Sequence, residues 1–278
     1  MESGPPTITV IKNKNAARAV AAALASLSAW DIAIKSHSHI LIKVNLCGGV
    51  AGEPGSYTSV SVLEAVLAEV SSFAMPLYIG EADCSFNDAE HMFTALNIYA
   101  CAKRYGARVV NLSKGTWLDL PVPSPLNMKS VRVAEVFHNA FIISVPVLKT
   151  HPWTNVTITM KNMYGAIYPR EKSVYHSGLD ENIVDINKVI KPHLSIVDGT
   201  VAVVSGGFKY GLWVGSPPTR LDCIIVGQDP VAVDALGAKI LGHDPDHIGY
   251  IKKAAQQRLG ICKIEDINLT GNGVSLLA

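Results

Sequence analysis

The chain alternates short runs of β-branched and aliphatic residues with stretches of helical periodicity, and no other feature constrains its fold as strongly. Strands separated by helices pair through helical crossovers, which builds βαβ units and a mainly parallel sheet. The expected strands are Thr7 to Ile11, Ile40 to Leu46, Leu77 to Gly80, Ala107 to Leu112, Ala140 to Leu148, Leu194 to Val197 and Leu221 to Val226. Between them, helices are expected over Ala16 to Ala29, Ser59 to Phe73, Asp88 to Tyr105, Asp180 to Ile190 and Val231 to Leu241. Thr58 or Ser59 caps the second of these, and Asp229-Pro230 opens the last with a capping carboxylate and a proline at the first helical position. Asp244-Pro245 opens a further helix that ends near Leu259. The prolines of Leu118 to Pro125 predict a loop, as does the stretch rich in Lys, His and Gly from Lys161 to Gly178. The fold class is therefore α/β, a mainly parallel sheet with helices on both faces and without a ferredoxin module.

Composition supports this layering. Only 17% of the 278 residues are charged and 49% are hydrophobic, whereas ordinary soluble domains carry about 25% charged residues. Much of the chain must therefore lie in strands or helices covered on both sides. Breakers are spread evenly, so a single α/β domain over residues 1–278 is expected, with a soft division near 118–130. Twenty-four basic residues face 23 acidic ones, a net charge of +1 with no run of five like charges. Such a surface offers nucleic acid no basic stripe. Apolar windows are short or interrupted by charges, and Met1 to Ile11 lacks the pattern of a signal peptide, so a cytoplasmic protein with no membrane partner is expected. The five cysteines (47, 84, 101, 223, 262) form no Cys-x-x-Cys pair and read as reduced thiols.

Chemistry is expected at the carboxyl ends of the strands, where loops and helix N-termini converge in open α/β sheets. Polar groups sit at four such ends: Lys43 and Asn45, Glu81 and Asp83, Lys149 to His151, and Asp198-Gly199. Lys149, Thr150 and His151 offer an anion donors of different reach. Lys149, His151 and the loop histidine His176 are the catalytic candidates, the imidazoles because they titrate near neutrality. Lys43, Asn45, Thr150, Lys161 and Asn162 are the substrate-binding candidates, and Lys43, Lys149 and Lys161 make three lysines able to neutralise a carboxylate or phosphate. Asp198, at the end of an apolar strand, is the carboxylate suited to hold a metal or orient a histidine. Asp229 reads as a cap, and Asp234 as a carboxylate in the first turn of its own helix. His243 and His247 are separated by Pro245 and cannot share a helical face, so they are set aside as a metal pair. Gly206-Gly207 with Gly211 and Gly215 lacks both the Walker lysine and the dinucleotide-binding glycine spacing, and no Gly-x-Ser-x-Gly elbow occurs.

The string Val145-Pro-Val-Leu-Lys-Thr-His151, with Thr154, Met160-Lys-Asn162 and Gly165, resembles the core signature of the domain-of-unknown-function 362 (DUF362) family. Ile196-Val-Asp-Gly199, Gly227-Gln-Asp-Pro-Val-Ala-Val-Asp-Ala235, and Thr58 with the Val62 to Val70 helix agree with it in order and spacing. The resemblance runs from about Lys43 to Gly273. It implies an association with iron–sulfur ferredoxin modules, which accompany some members of a mainly uncharacterised family. Two classes of function follow. One is an enzyme acting on a small anionic metabolite, with or without a metal. The alternative is a non-catalytic partner of an iron–sulfur or redox protein.

Overall fold

A computed structural model describes residues 4–46, 51–169, 171–209, 212–214 and 217–277. Cys47, Gly48, Gly49, Gly211 and Gly215 lie outside the described residues. The first half runs β1 (Thr7–Lys12), α1 (Ala16–Ala25), β2 (His39–Val44), α2 (Val60–Val70), β3 (Leu77–Glu81), α3 (Ala89–Ala95), α4 (Ile98–Arg104) and β4 (Arg108–Asn111). A hairpin of β5 (Trp117–Pro121) and β6 (Ser130–Ala134) leads into β7 (Ala140–Val145), β8 (Val147–His151) and β9 (Asn155–Thr157). Then follow α5 (Thr159–Tyr164), α6 (Leu179–Val189), β10 (Leu194–Val203), β11 (Gly207–Lys209), β12 (Leu212–Val214) and β13 (Thr219–Gly227). The chain closes with α7 (Pro230–Ile240), α8 (Gly249–Gln256) and β14 (Asn268–Thr270).

The central sheet has the order β14-β1-β13-β10-β7-β2-β3-β4, with β8 attached to β10 and β9 to β8. Its body, β10-β7-β2-β3-β4, is parallel throughout. Only β13 among the sheet's long strands runs against its neighbours, pairing antiparallel with both β10 and β1. Between β10 and β13 the chain forms the short β11-β12 pair where a crossover helix would be needed to keep them parallel. The two faces carry separate apolar layers. Val20 and Leu24 of α1, Val62, Val66 and Val70 of α2, Phe93 of α3 and Ile98 of α4 cover one face. Met160 and Met163 of α5, Ile183 and Ile186 of α6, Val233 and Leu236 of α7, and Ile251 of α8 cover the other. The sheet is therefore mainly parallel with helices on both faces, as expected.

Several boundaries differ from the sequence reading. The run Ala140 to Leu148 is two strands, because Pro146 has no N–H for the ladder; its carbonyl accepts from Asp198 N at 2.8 Å instead. Asp88 to Tyr105 is two short helices divided at Asn97, whose φ of 55° is left-handed. Helix α1 ends at Ala25, and Ala29 is already left-handed at φ 57°. Leu118 to Pro125 is no simple loop: its first residues belong to β5, an edge strand that tolerates Pro121 at its end, and Val131 and Val133 of its partner β6 are buried. Asp244-Pro245 opens a single 3-10 turn, and α8 starts only at Gly249. Lys161 and Asn162 lie on α5 rather than in a loop.

Candidate functional site

Two polar groupings stand at the carboxyl ends of the parallel strands. The first is enclosed. Lys43, on β2, is fully buried, and its Nζ donates to Glu81 Oε1 at 2.6 Å, Val44 O at 2.7 Å and Asn162 Oδ1 at 3.1 Å. Glu81 ends β3 and accepts from Leu46 N at 2.7 Å through Oε2 and from Ala82 N at 2.8 Å through Oε1. Asn162 completes the network by donating through Nδ2 to Lys43 O and to Ser144 Oγ of β7. Three strand ends and α5 are thus tied by one buried ion pair with its hydrogen bonds largely satisfied, the arrangement that keeps buried charge tolerable. Lys43 and Asn162 are spent on this lock and do not face a ligand.

The second grouping is a cluster of lysines and histidines. Lys149 leaves β8 toward the segment before α2 and donates to Ser56 O at 2.6 Å. His151 ends β8, and the backbone N–H groups of Trp153 and Thr154 both point at its Nδ1 from 3.3 Å, with Thr154 Oγ1 at 3.0 Å. Nδ1 is therefore an acceptor, and the neutral ring carries its proton on Nε2. Burial, reinforced by Lys161, Lys149 and His176, holds the His151 imidazole well below its ordinary titration range. Lys161 projects from α5 with Nζ 3.7 Å from the centroid of the Tyr164 ring, one helical turn further on. Among the described residues its ammonium has no hydrogen bond and no carboxylate partner. Its side chain stays partly accessible. Desolvation, then repulsion from Lys149 and Lys172, pushes it down to about 7. Lys172 is buried and donates to Pro169 O at 2.6 Å and to Ile167 O. His176 stacks edge-on against Trp153 at 4.4 Å; burial and Lys161 lower it, while Glu171 acts the other way. Glu171 is an exposed acid at the rim, bonded to Ser85 and Ser173.

The structure thus brings Lys149, His151, Lys161 and His176 into one electrostatic neighbourhood. It directs the other candidates elsewhere. Thr150 Oγ1 donates to Gly206 O at 2.7 Å and Val203 O at 3.2 Å, which fixes the loop after β10. Asn45 lies at the end of β2, its backbone N–H bonded to Thr58 Oγ1 at 2.9 Å; its buried Oδ1 has no hydrogen-bond partner among the described residues. Asp198 is buried and both its oxygens are engaged: Oδ2 accepts from Ser59 N at 2.7 Å, and Oδ1 from Thr200 N at 3.0 Å and Thr200 Oγ1 at 2.6 Å. It anchors the start of α2, and among the described residues no group of three or more His, Cys, Asp or Glu is placed to hold a metal ion. The glycine that follows it is forced by packing, since a Cβ on Gly199 would lie 2.5 Å from Cys223 Sγ.

Asp234 has a role its position in α7 conceals. Its carboxylate accepts from Thr159 N at 2.8 Å, Met160 N at 3.1 Å and the Tyr250 hydroxyl at 2.9 Å. The N-cap residue of α5, Ile158, has no capping side chain, so a carboxylate from another helix supplies the cap. Asp229, by contrast, caps its own helix through Val231 N and Ala232 N and also holds Ile261 N.

Tyr164, Trp153 and Lys172 escape a reading based on strand ends. The Lys161–Tyr164 spacing of three would have revealed the ring beneath the ammonium had α5 been recognised as helical.

The family described as Domain of unknown function (DUF362) matches residues 40–239. That span covers most of the chain and both polar groupings. The chain belongs to this family. It is also 32% identical over 127 residues to the Thylakoid-associated protein sll1697 of Synechocystis sp. (strain ATCC 27184 / PCC 6803 / Kazusa), a match covering 43% of this chain and 37% of that protein. Among the described residues of this DUF362 chain, no helix is long and apolar enough to cross a membrane.

Proposed function

We propose that this DUF362 protein is an enzyme that acts on a small anionic metabolite bound at the strand ends by Lys149 and Lys161. The observation that carries the reading is the gathering of Lys149, Lys161 and Lys172 with two histidines, beside the rim acid Glu171 that acts on His176. Like charges in such a setting repel, and an anion relieves the repulsion. Lys149 supplies a fixed ammonium. The Nε2–H of His151 donates a hydrogen bond to a substrate oxygen, and the less buried His176 accepts or returns a proton. Exposed Phe86, Trp153 and Val174, with the thiol of Cys84 close by in sequence, favour the second reading, a surface for an iron–sulfur or redox partner.

Calorimetric titration with sulfate at low ionic strength tests the first reading. Lys149→Ala is expected to weaken sulfate roughly tenfold or more, since a charge-assisted hydrogen bond contributes about 1.5–3 kcal/mol. His151→Ala removes a neutral donor and is expected to cost less, about 0.5–1.5 kcal/mol. Unchanged binding in both variants would leave the docking reading in its place. The cytoplasmic location belongs to the same proposal. Recovery with membranes on fractionation, in line with the name of the thylakoid-associated relative, would overturn it.

A further inference from the structure

Lys149 and Lys161 are two lysines of different chemical character. Lys149 is hydrogen-bonded to a backbone carbonyl, as an ammonium that serves as a fixed positive charge should be. Lys161 has no acceptor among the described residues, lies over the face of Tyr164, and remains partly accessible. Burial and the neighbouring Lys149 and Lys172 argue against a permanent proton, while the face of the Tyr164 ring attracts the ammonium. Lys149 and His151 approach from β8, and Lys172 and His176 from the segment before α6; Tyr164 belongs to its own helix and has its hydroxyl bonded to Lys172 O at 2.6 Å. Glu171, the acid beside His176, is turned to Ser85 and Ser173. A lysine placed merely to hold an anion gains from a permanent charge. An amine with no acceptor among the described residues and with two ammonium groups beside it is instead poised as a nucleophile.

We propose that the Lys161 amine forms an imine with the carbonyl carbon of a small 2-oxo carboxylate whose carboxylate is held by Lys149. The inference rests on the anion-binding reading above and names the substrate class of that same site. The nitrogen lone pair of Lys161 adds to the carbonyl carbon, and one N–H proton passes to the carbonyl oxygen. The C–O bond then breaks, and that oxygen leaves as water after taking one proton from solvent. The sum is amine, ketone and one proton going to a protonated imine and one water, with no oxidant or reductant required. The Nε2–H of His151 is the donor suited to polarise the carbonyl oxygen, and the desolvation that, with repulsion from Lys149 and Lys172, lowers Lys161 to about 7 keeps a large share of the amine unprotonated at neutral pH.

The test uses the full chain with pyruvate as probe and sodium cyanoborohydride to trap the imine, read by intact mass and peptide mapping. The expected result is a single reduced adduct on Lys161 that is lost in Lys161→Arg and reduced at least severalfold in Lys149→Ala. Sulfate binding by Lys161→Arg, which keeps the charge, shows that this variant is folded. No adduct in a wild-type protein that binds sulfate overturns the imine while leaving the anion site standing. No adduct together with no sulfate binding overturns both. Labelling spread over surface lysines, or persisting in Lys161→Arg, also overturns the assignment.

Discussion

Replacing Glu81 by Leu is expected to lower the free energy of unfolding by about 3–5 kcal/mol, the cost of leaving one member of a buried ion pair without its partner. The cause is visible at Lys43: its ammonium is fully buried and would keep only Val44 O and Asn162 Oδ1 as acceptors. Leu46 N and Ala82 N would lose their acceptor as well. Arg132 and Asp119 provide the contrast within the same molecule. They make a bidentate pair at 2.6 and 2.8 Å, yet both are exposed, and Asp119→Asn is expected to cost far less, because solvent screens the pair. The double variant Lys43→Met/Glu81→Leu should recover much of the loss, because removing both charges also removes their desolvation. Urea denaturation of the variants measures all three. A Glu81→Leu cost no larger than that of Asp119→Asn would show that the lock does not hold the strand ends.

Asp234→Ala is expected to cost about 3 kcal/mol or more, since it strands Thr159 N, Met160 N and the Tyr250 hydroxyl, each a buried donor whose loss of a partner costs about 1–3 kcal/mol. The effect reaches the site, because these bonds hold the first turn of the helix that carries Lys161 and Asn162. Burial pushes Asp234 up to about 7, against the backbone and Tyr250 hydrogen bonds that pull it down. The unfolded chain ionises this carboxyl near 3.9. Between roughly pH 4 and 7 the unfolded state therefore releases a proton the folded state retains, and this group makes stability fall as pH rises. His151 and His193 have lowered values and act in the opposite direction below about 6.5. The difference between wild type and Asp234→Asn isolates the carboxyl: the variant should lose less stability than wild type from pH 4 to 7. Parallel curves would contradict the account of Asp234.

The strands of the sheet's body were legible because β2, β7 and β10 are buried on both faces and read as near-continuous apolar runs, ending in polar residues. Lys149 and His151 stand at such an ending, that of β8. What the pattern could not carry was pairing across distance. Lys43 and Lys149 look alike at strand ends, and only the parallel register that sets Lys43 opposite Gly80 brings Glu81, 38 residues on, to neutralise the first and not the second. Helix α5 was missed because it is one and a half turns long and its cap arrives from Asp234, 75 residues away. The direction of β13 likewise depends on the short β11-β12 connection, which has no helical period to reveal it.

In the proposed anion site, Lys161 acts together with Lys149 and titrates on binding. Sulfate is a suitable probe because it does not titrate between pH 6 and 9. An anion favours the protonated lysine, so binding at a pH above about 7 must draw a proton into the site. Titration calorimetry across pH 6 to 9, in buffers of different ionisation enthalpy, should show sulfate affinity falling as pH rises through about 7, with proton uptake on binding that disappears in Lys161→Met. Sulfate affinity that is flat over this range, with no proton uptake and no difference between wild type and Lys161→Met, would contradict it.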